Sequence, residues 1–207
     1  MMLVKICGIR SPEHLLVAAA AGADMIGLVF APSKRQVDLE TAKMLVQQLR
    51  DAGYTTKVVG LFVNASPATI RQVAQECQLD CIQLHGNEPL SIVAELPELP
   101  IWRAVRLQGA DDETEWLTTT HPRVTLLVDA HVSGSFGGTG AQADWTKATE
   151  LATQRPIVLA GGLNPSNVVT AIRQVHPWAV DVSSGVERDG IKDNGLMAAF
   201  IDLAKQA

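Results

Sequence analysis

Short runs of apolar residues recur along the chain, and longer segments of mixed polarity separate them. A continuous apolar run of four to six residues is typical of a strand that is buried on both faces of a parallel sheet. Eight such strands are predicted: Leu3–Cys7, Met25–Phe30, Val58–Val63, Cys81–Leu84, Ile101–Val105, Val124–Asp129, Ile157–Ala160 and Val180–Ser183.

The segments between the strands carry start and stop signals for helices. Ser11-Pro12-Glu13 offers a capping side chain, a proline at the first helical position and an acid in the first turn. Ser66-Pro67 repeats this pattern, and Asn164-Pro165 is predicted to open the next-to-last helix. Gly22 and Gly53 lie where helices are expected to end.

This alternation predicts the fold class. Eight strand–helix units in 207 residues correspond to roughly 26 residues per unit, which suits a compact (β/α)8 TIM barrel. A doubly wound open sheet is the alternative. Because no linker or shift in composition divides the chain, we expect residues 1–207 to form a single TIM-barrel domain.

Composition narrows the function classes. Hydrophobic residues make up 47% and charged residues 19% of the chain, so it is not disordered. The net charge of -5 and the lack of a basic run argue against nucleic-acid binding. The longest apolar runs are too short to span a membrane, and no signal peptide is evident. We therefore expect a cytoplasmic protein, either a monomer or a homodimer.

The cysteines and histidines give no sign of a metal site. The three cysteines, Cys7, Cys77 and Cys81, have an odd count and no spacing that suits disulfides or zinc, so we expect reduced thiols. Most histidines are scattered over predicted helices and loops, namely His14, His121, His131 and His176. No metal is therefore expected.

Reactive and polar groups follow several of the predicted strands, where the active site of a TIM barrel lies. Cys7 ends the first strand, and as a lone cysteine it is either a buried apolar residue or a catalytic thiol. Asp129 directly follows an apolar run, so burial without partners would be costly and a role in the site is favoured. Desolvation is expected to raise the pKa of Asp129 and favour its protonated form.

Two further candidates, Arg35 and His85, also follow strand ends. The planar fork of Arg35 suits a carboxylate ligand, although a solvated loop arginine is the alternative. His85 either orients the substrate or caps its own loop.

Alternation of side chains along the strands predicts an ion pair. If Cys7 points into the barrel, so does Lys5, and Asp181 shares a face with Ser183 on the last strand. The first and last strands are neighbours in a closed barrel. We therefore predict a Lys5–Asp181 pair inside the barrel, below Cys7.

Small residues after the last two strands point to a phosphate ligand. Gly161-Gly162 and Ser183-Ser184-Gly185 lie where TIM barrels bind phosphate through backbone N–H groups, and Gly138-Thr139-Gly140 could close over the same ligand. The alternative is that the glycines only form tight turns. If they bind phosphate, Gly162→Val or Gly185→Val should weaken substrate binding far more than folding.

These segments resemble the signature blocks of the phosphoribosylanthranilate isomerase family, in the order found in that family. The matching blocks are Lys5-Ile6-Cys7-Gly8, Gln83-Leu84-His85-Gly86, Gly137-Gly138-Thr139-Gly140, Leu159-Ala160-Gly161-Gly162-Leu163 and Asp181-Val182-Ser183-Ser184-Gly185-Val186-Glu187. Each block alone is weakly specific, and their combination is specific. Two positions depart from the family pattern: Lys34 replaces a usual proline and Ala143 replaces a usual aromatic residue.

The resemblance implies an Amadori rearrangement without a cofactor in tryptophan biosynthesis. N-(5-phosphoribosyl)anthranilate, a phosphosugar, would become 1-(2-carboxyphenylamino)-1-deoxyribulose 5-phosphate. By family analogy, Cys7 is the general base, Asp129 is the general acid, and Arg35 holds the anthranilate carboxylate. The remaining substrate-binding candidates are His85, Gly138, Gly140, Gly161, Gly162, Asp181, Ser183, Ser184 and Gly185.

Three other functions fit the sequence less well. A histidine-pathway aldose–ketose isomerase would have two catalytic aspartates and an internal half-barrel repeat, but here the first strand ends in Cys7. A metal-dependent epimerase would need a cluster of histidine and acidic ligands. A barrel that only senses a phosphorylated metabolite would not need an acid–base pair.

Overall fold

The computed structural model describes residues 1–107, 111–130 and 143–207. Eight parallel strands close into one barrel in chain order, and β1 pairs with both β2 and β8. The strands are β1 (Leu3–Cys7), β2 (Met25–Val29), β3 (Lys57–Phe62), β4 (Cys81–Leu84), β5 (Ile101–Val105), β6 (Val124–Val128), β7 (Ile157–Leu159) and β8 (Ala179–Val182). The predicted TIM barrel is confirmed, and closure excludes the doubly wound open sheet.

The predicted strand bounds agree with the observed ones to within one residue at each end. β1, β4 and β5 match, whereas the predicted sixth and eighth strands each extend one residue too far. Asp129 and Ser183 therefore lie just beyond their strands, in the loops at the carboxyl end of the barrel. Both side chains are thus placed at the face where the active site of a TIM barrel is built.

Helices in the described residues cover the outside of the barrel. They are α1 (Pro12–Ala20), α2 (Leu39–Asp51), α3 (Pro67–Glu76), α4 (Asp111–Thr118), α5 (Trp145–Ala152), α6 (Val168–Val175) and α7 (Asn194–Gln206). The predicted caps of α1 and α3 are confirmed, since the Ser11 and Ser66 side chains each accept a backbone N–H from the first turn. Gly22 and Gly53 follow α1 and α2 with φ of +93° and +80°, which favours glycine.

The start of α6 differs from the prediction. Asn164-Pro165 forms a turn and does not open the helix, because the Asn164 side-chain oxygen accepts the N–H of Ser166 at 2.9 Å. Asn167 in turn accepts the N–H of Asn164 at 2.8 Å, and α6 begins at Val168. Local side-chain hydrogen bonds therefore satisfy the backbone before the helix starts.

Two segments that follow barrel strands contain more than, or something other than, a single α-helix. The segment between β4 and β5 contains a short 3-10 helix, Leu90–Glu95. The segment after β8 contains a 3-10 turn, Ser184–Val186, followed by a two-stranded antiparallel hairpin of β9 (Glu187–Arg188) and β10 (Ile191–Lys192). This hairpin brings two charged side chains, Glu187 and Lys192, back to the barrel mouth.

The barrel has a core on each side of its sheet. Outward-facing strand residues pack with the helices in a large apolar core. The inward-facing residues form a smaller apolar layer of Met25, Val59, Cys81, Trp102, Ala104, Leu127, Val158, Ala160 and Ala179. Polar side chains also face inward, and among them Lys5 and Gln83 are 0% exposed. Burial of such groups is costly unless they are paired, so their partners are of interest.

Candidate active site

Cys7, the predicted base, is the last residue of β1 and lies opposite Gly27 of β2. A Cβ atom added to Gly27 would lie 2.8 Å from the Cys7 sulfur and 3.0 Å from the Lys5 ammonium nitrogen. The thiol and the ammonium therefore share the space that glycine leaves open. Any side chain on Gly27 would displace one of them.

The predicted Lys5–Asp181 pair is confirmed. Lys5 Nζ lies 3.0 Å from Asp181 Oδ1, and both side chains are buried. The ammonium also lies 5.8 Å from the centre of the Trp102 ring, which is a cation–π contact. Burial, the largest single influence, lowers the pKa of Lys5, but Asp181 and Cys7 outweigh it and the pKa is raised. Lys5 is therefore charged at neutral pH.

The Cys7 thiol is protonated in the free protein. Burial raises its pKa, and the charge of Asp181 adds to this effect, while Lys5 and Lys192 oppose it without reversing it. Burial also raises the pKa of the two other buried cysteines, that of Cys77 to about 11 and that of Cys81 to about 12. The Lys5 charge opposes burial at both Cys7 and Cys81, and the Cys7 sulfur shares with the Lys5 ammonium the space at Gly27.

Asp129, the predicted acid, ends a chain of three buried side chains. Its Oδ2 lies 3.0 Å from His85 Nε2, and its Oδ1 accepts the N–H of Ala130 at 2.8 Å. His85 Nδ1 lies 3.0 Å from the amide nitrogen of Gln83, which points inward from β4. The structure thus gives His85 a third role, different from the two considered in the sequence: it holds the carboxylate of Asp129.

The pKa of Asp129 departs from the sequence-based expectation. Burial raises it, as expected, but the hydrogen bond and charge of His85, the Ala130 N–H and the Arg106 charge together lower it below its usual range. The expectation of a raised pKa was therefore wrong, because it considered burial without the partners that β4 and β5 supply. Asp129 is ionised in the free protein.

Arg35 belongs to a buried ion cluster beside Cys7. Its Nε and Nη2 donate to the two carboxylate oxygens of Glu187 at 2.7 and 2.8 Å. Lys192 Nζ donates to the same carboxylate at 2.8 Å and to the Ser183 carbonyl at 2.9 Å. Arg35 is only 8% exposed, so it is not a solvated loop arginine.

The two cations of this cluster keep Glu187 ionised. Burial raises the pKa of Glu187, but the hydrogen bonds from Arg35 and Lys192 outweigh it and bring the pKa down to about 2. The Glu187 hydrogen bonds likewise raise the pKa of Arg35. With two cationic groups and one carboxylate, the cluster of Arg35, Glu187 and Lys192 carries an excess positive charge that suits an anion.

The turns after β7 and β8 lie against each other. Gly161 and Gly162 have φ of +77° and +68°. A side chain on Gly185 would overlap the carbonyl oxygen of Leu163, so the two turns pack backbone to backbone. The expectation that Gly185→Val spares folding is therefore wrong, since the valine would push the turns apart. The positive φ of Gly162 makes its valine variant strained as well.

Ser183 and the glycine-rich loop complete the list of predicted site residues. The Ser183 hydroxyl donates to the Cys7 carbonyl at 3.1 Å and so ties β8 to β1. Ser184 is the first residue of the 3-10 turn that leads to Glu187. Gly138 and Gly140 lie outside the described residues, as does His131.

Comparison with known proteins identifies the family. The family model for N-(5'-phosphoribosyl)anthranilate isomerase matches residues 4–203. The chain belongs to the N-(5'-phosphoribosyl)anthranilate isomerase family. A family member from Roseiflexus sp. (strain RS-1) is 47% identical over 211 residues, covering 100% of this chain and 99% of its own.

Solved structures of this family have the same barrel. The phosphoribosyl anthranilate isomerase of Thermotoga maritima superposes with a TM-score of 0.87 at 37% identity and full coverage of both chains. A phosphoribosyl anthranilate isomerase in complex with reduced 1-(o-carboxyphenylamino)-1-deoxyribulose 5-phosphate superposes with a TM-score of 0.84, again at 37% identity and full coverage of both chains. The chain is therefore an isomerase of tryptophan biosynthesis, as the signature blocks implied.

The two departures from the family pattern lie at the edge of this site. Lys34 is exposed, and its ammonium is 3.9 Å from Glu187 Oε2, so it adds a weak third cation to the cluster. Ala143 is buried, and its N–H points to the Gly161 carbonyl at 3.4 Å.

Three residues of the isomerase site were not among the sequence candidates: Gln83, Glu187 and Lys192. A signal existed for Gln83, because it is a polar residue in an apolar strand, two positions before His85. Glu187 belongs to a quoted signature block but received no role. Lys192 carried no signal, because only the β9–β10 hairpin returns it to the site.

Two negative findings concern the described residues alone. Within them, no group of three or more histidine, cysteine or acidic side chains is arranged to hold a metal ion. None of the helices in the same part of the chain is long and apolar enough to cross a membrane.

Proposed function

We propose that this isomerase rearranges N-(5'-phosphoribosyl)anthranilate with Cys7 as general base and Asp129 as general acid. The observation that carries the proposal is that each group ends its own strand at the same mouth of the barrel and has its own polar support. Lys5 and Asp181 support the thiol, while His85 and Gln83 support the carboxylate. The predicted cytoplasmic location and the monomeric or homodimeric state remain predictions.

The reaction needs two proton transfers at neighbouring sugar atoms. Asp129 donates a proton to the furanose ring oxygen, and the bond between this oxygen and C1 breaks, which leaves a protonated Schiff base between C1 and the anthranilate nitrogen. The Cys7 thiolate then removes the proton from C2, and the electron pair of that C–H bond forms the C1–C2 double bond of an enolamine. Tautomerisation gives the 1-amino-1-deoxyketose. The chemistry proposed here uses no cofactor and no nucleic-acid or membrane partner.

Arg35 is proposed to bind the anthranilate carboxylate. Glu187 occupies the edge formed by Nε and Nη2 of the guanidinium, and the edge formed by its two terminal nitrogens suits a second carboxylate. In this arrangement Glu187 fixes the plane of Arg35 before the substrate arrives. Because the guanidinium does not have to be ordered on binding, more of the interaction energy contributes to affinity.

The substrate phosphate is proposed to bind at the turns of Gly161-Gly162 and Ser183-Ser184-Gly185. Backbone-to-backbone packing of these turns supports the proposal, because it places the two glycine-containing loops next to each other. Phosphate sites at the ends of the last two strands are frequent in TIM barrels. Gly138 and Gly140 are proposed to close over the same ligand from the loop after β6.

The proposal is tested by turnover and by isotope transfer together. The protein should consume N-(5'-phosphoribosyl)anthranilate, followed as a loss of anthranilate-type fluorescence, without any added metal or cofactor. Substrate deuterated at the sugar C2 should react more slowly, because its C–D bond breaks at the Cys7 step. A barrel that only senses the metabolite would bind the substrate without turnover, and this result would reject the catalytic assignment.

A further inference from the structure

The chain of Gln83, His85 and Asp129 constrains where its protons lie. The Gln83 amide nitrogen carries hydrogen, so His85 Nδ1 must accept from it at 3.0 Å. A neutral imidazole has one N–H, which is then on Nε2 and points to Asp129 Oδ2 at 3.0 Å. This is the arrangement that an ionised Asp129 requires.

The opposite amide orientation suits the protonated pair. If the Gln83 carbonyl oxygen faced His85, Nδ1 would have to carry the hydrogen and donate it. The extra proton would then lie between Nε2 and Oδ2, either on the imidazole or on the carboxyl group. In the observed orientation the Gln83 oxygen is buried with no hydrogen-bond partner among the described residues. Rotating the amide gives this oxygen the Nδ1–H as a donor.

We propose that Gln83 is a positioning residue whose side-chain amide reverses its orientation when the His85–Asp129 pair gains or loses a proton. With its nitrogen toward Nδ1, Gln83 holds the pair in the ionised form. With its oxygen toward Nδ1, it holds the pair loaded with the proton that goes to the substrate. This inference rests on the proposed role of Asp129 as general acid.

The proton count of the site is conserved in this scheme. In the free protein, Cys7 holds a proton and the His85–Asp129 pair is ionised. In the productive form, the S–H bond of Cys7 is broken and one N–H or O–H bond is formed in the pair, by exchange through water. Delivery to the ring oxygen ionises the pair again. The orientation of the Gln83 amide therefore influences what fraction of the enzyme molecules is in the productive form.

Other charges around the pair do not replace Gln83. On the barrel wall the Arg106 charge, after β5, favours the ionised carboxylate. Glu88, after β4, accepts the Gly86 N–H and is paired with Arg103 behind the sheet. Lys5, Asp181 and Cys7 face one another on β1 and β8. Nδ1 of His85, by contrast, is bonded to Gln83 in the described structure.

The direct test is nitrogen NMR of the protein with ¹⁵N-labelled histidine, in which a His85→Asn variant assigns the His85 signals. At neutral pH, the unprotonated ring nitrogen should be Nδ1. A neutral-pH tautomer with its hydrogen on Nδ1 would overturn the inference, and this measurement needs no variant of Gln83.

Two variants of Gln83 test its role through the His85 tautomer and through kcat. In Gln83→Glu, the carboxylate only accepts, so the hydrogen of His85 should lie on Nδ1 at neutral pH and not on Nε2. In Gln83→Met, neither tautomer is selected, and kcat should fall about ten- to a hundred-fold with KM little changed. Unchanged tautomers and unchanged kcat in both variants would overturn the inference.

These experiments can reject the proposed role of Asp129 and the proposed role of Gln83 independently. Asp129→Asn with wild-type turnover would reject the proposed acid, whatever the state of His85. A His85 tautomer that is the same in the wild type and in both Gln83 variants would reject the role of Gln83 and leave Asp129 as the acid. Gln72→Met, on the outer face of α3, is the matched control and should leave both the His85 signals and kcat unchanged.

Discussion

The base side and the acid side of the barrel mouth are supported in different ways. On the base side, an ammonium and a carboxylate, Lys5 and Asp181, form an ion pair below Cys7. On the acid side, Asp129 ends a chain of hydrogen bonds through His85 to the neutral amide of Gln83. Burial is the largest single influence on the pKa of each reacting group, and in both cases it acts to raise the pKa. The pKa of Cys7 is indeed raised, whereas that of Asp129 is lowered.

The difference shows how partners decide the sign of a pKa shift. The Lys5 charge is shared between Cys7 and Asp181, so it does not overcome the burial of the thiol. At Asp129, by contrast, His85, the Ala130 N–H and the Arg106 charge all favour the ionised form, and together they overcome its burial. The free protein therefore holds one proton on the base and none on the acid, the reverse of what each role needs.

The largest expected effect comes from removing either reacting group. Cys7→Ser and Asp129→Asn should each lower kcat by roughly 10²–10⁴-fold, the usual contribution of a general base or acid, with little change in substrate binding. Serine is too weak an acid to form the base, and asparagine has no acidic proton to give. Steady-state kinetics measures both losses.

Cys81→Ser is the matched control for the base. Cys81 is a second buried cysteine inside the barrel, but it lies in the apolar layer at the first residue of β4, at the end opposite the barrel mouth. It should retain kcat within a few-fold. Wild-type turnover in Cys7→Ser would contradict the assignment and direct attention to His85 or Asp181 as the base.

The second effect is on stability and compares the two supports directly. Lys5→Met removes one partner of a buried ion pair and should lower the free energy of unfolding by about 3–5 kcal/mol. Gln83→Met removes a neutral hydrogen-bond partner and should cost about 1–3 kcal/mol. Denaturant unfolding measures both values. Equal losses of unfolding free energy in the two variants would mean that the Lys5–Asp181 ion pair contributes no more to stability than the neutral Gln83–His85 hydrogen bond.

The third effect separates substrate binding from the two reacting groups. Arg35→Ala should raise KM by about ten- to a hundred-fold, because a charge-assisted bidentate contact is lost. Arg35→Lys should restore only part of the affinity, since an ammonium does not reproduce the planar fork. Arg188→Ala, on the neighbouring hairpin, is the exposed control and should leave KM unchanged. Full activity of Arg35→Lys would mean that the contact depends only on positive charge and not on the planar guanidinium.

The fourth effect concerns the phosphate turns, where glycine variants would disturb the fold. Ser184→Asp should raise KM about ten-fold or more, because it places a like charge beside the phosphate. Ser66→Asp makes the same charge change at the cap of α3, where aspartate caps as well as serine, and should have no effect on KM. Equal KM values for the two variants would mean that the substrate phosphate does not bind at these turns.

The smallest effect is a shift of the pH profile. Activity requires one proton in total on Cys7 and the acid pair, so kcat should be bell-shaped in pH. Since the pKa of Asp129 is lowered and that of Cys7 raised, the low-pH limb reflects mainly Asp129 and the high-pH limb mainly Cys7. His85→Asn removes the hydrogen bond and charge that most oppose burial at Asp129, so the pKa of Asp129 should rise and the low-pH limb should move to higher pH. A shift of the high-pH limb alone would contradict this assignment.

The amino-acid sequence by itself determined the barrel and much of its site. The short apolar runs specify strands buried on both faces, and Ser11 and Ser66 specify helix starts through local hydrogen bonds. Alternation with a period of two placed Lys5 and Asp181 on facing positions, because neighbouring strands of a closed barrel must share their inner face.

Only the tertiary structure decided the electrostatics of the site. The sign of the Asp129 shift depends on His85 and Arg106, which come from other strands and have no fixed spacing to it in sequence. The β9–β10 hairpin places Lys192 on Glu187, and Glu187 in turn occupies one edge of Arg35, 152 residues earlier in the chain. Hydrophobic periodicity is a local property that a sequence displays, whereas a pKa depends on distances that exist only after the chain has closed on itself.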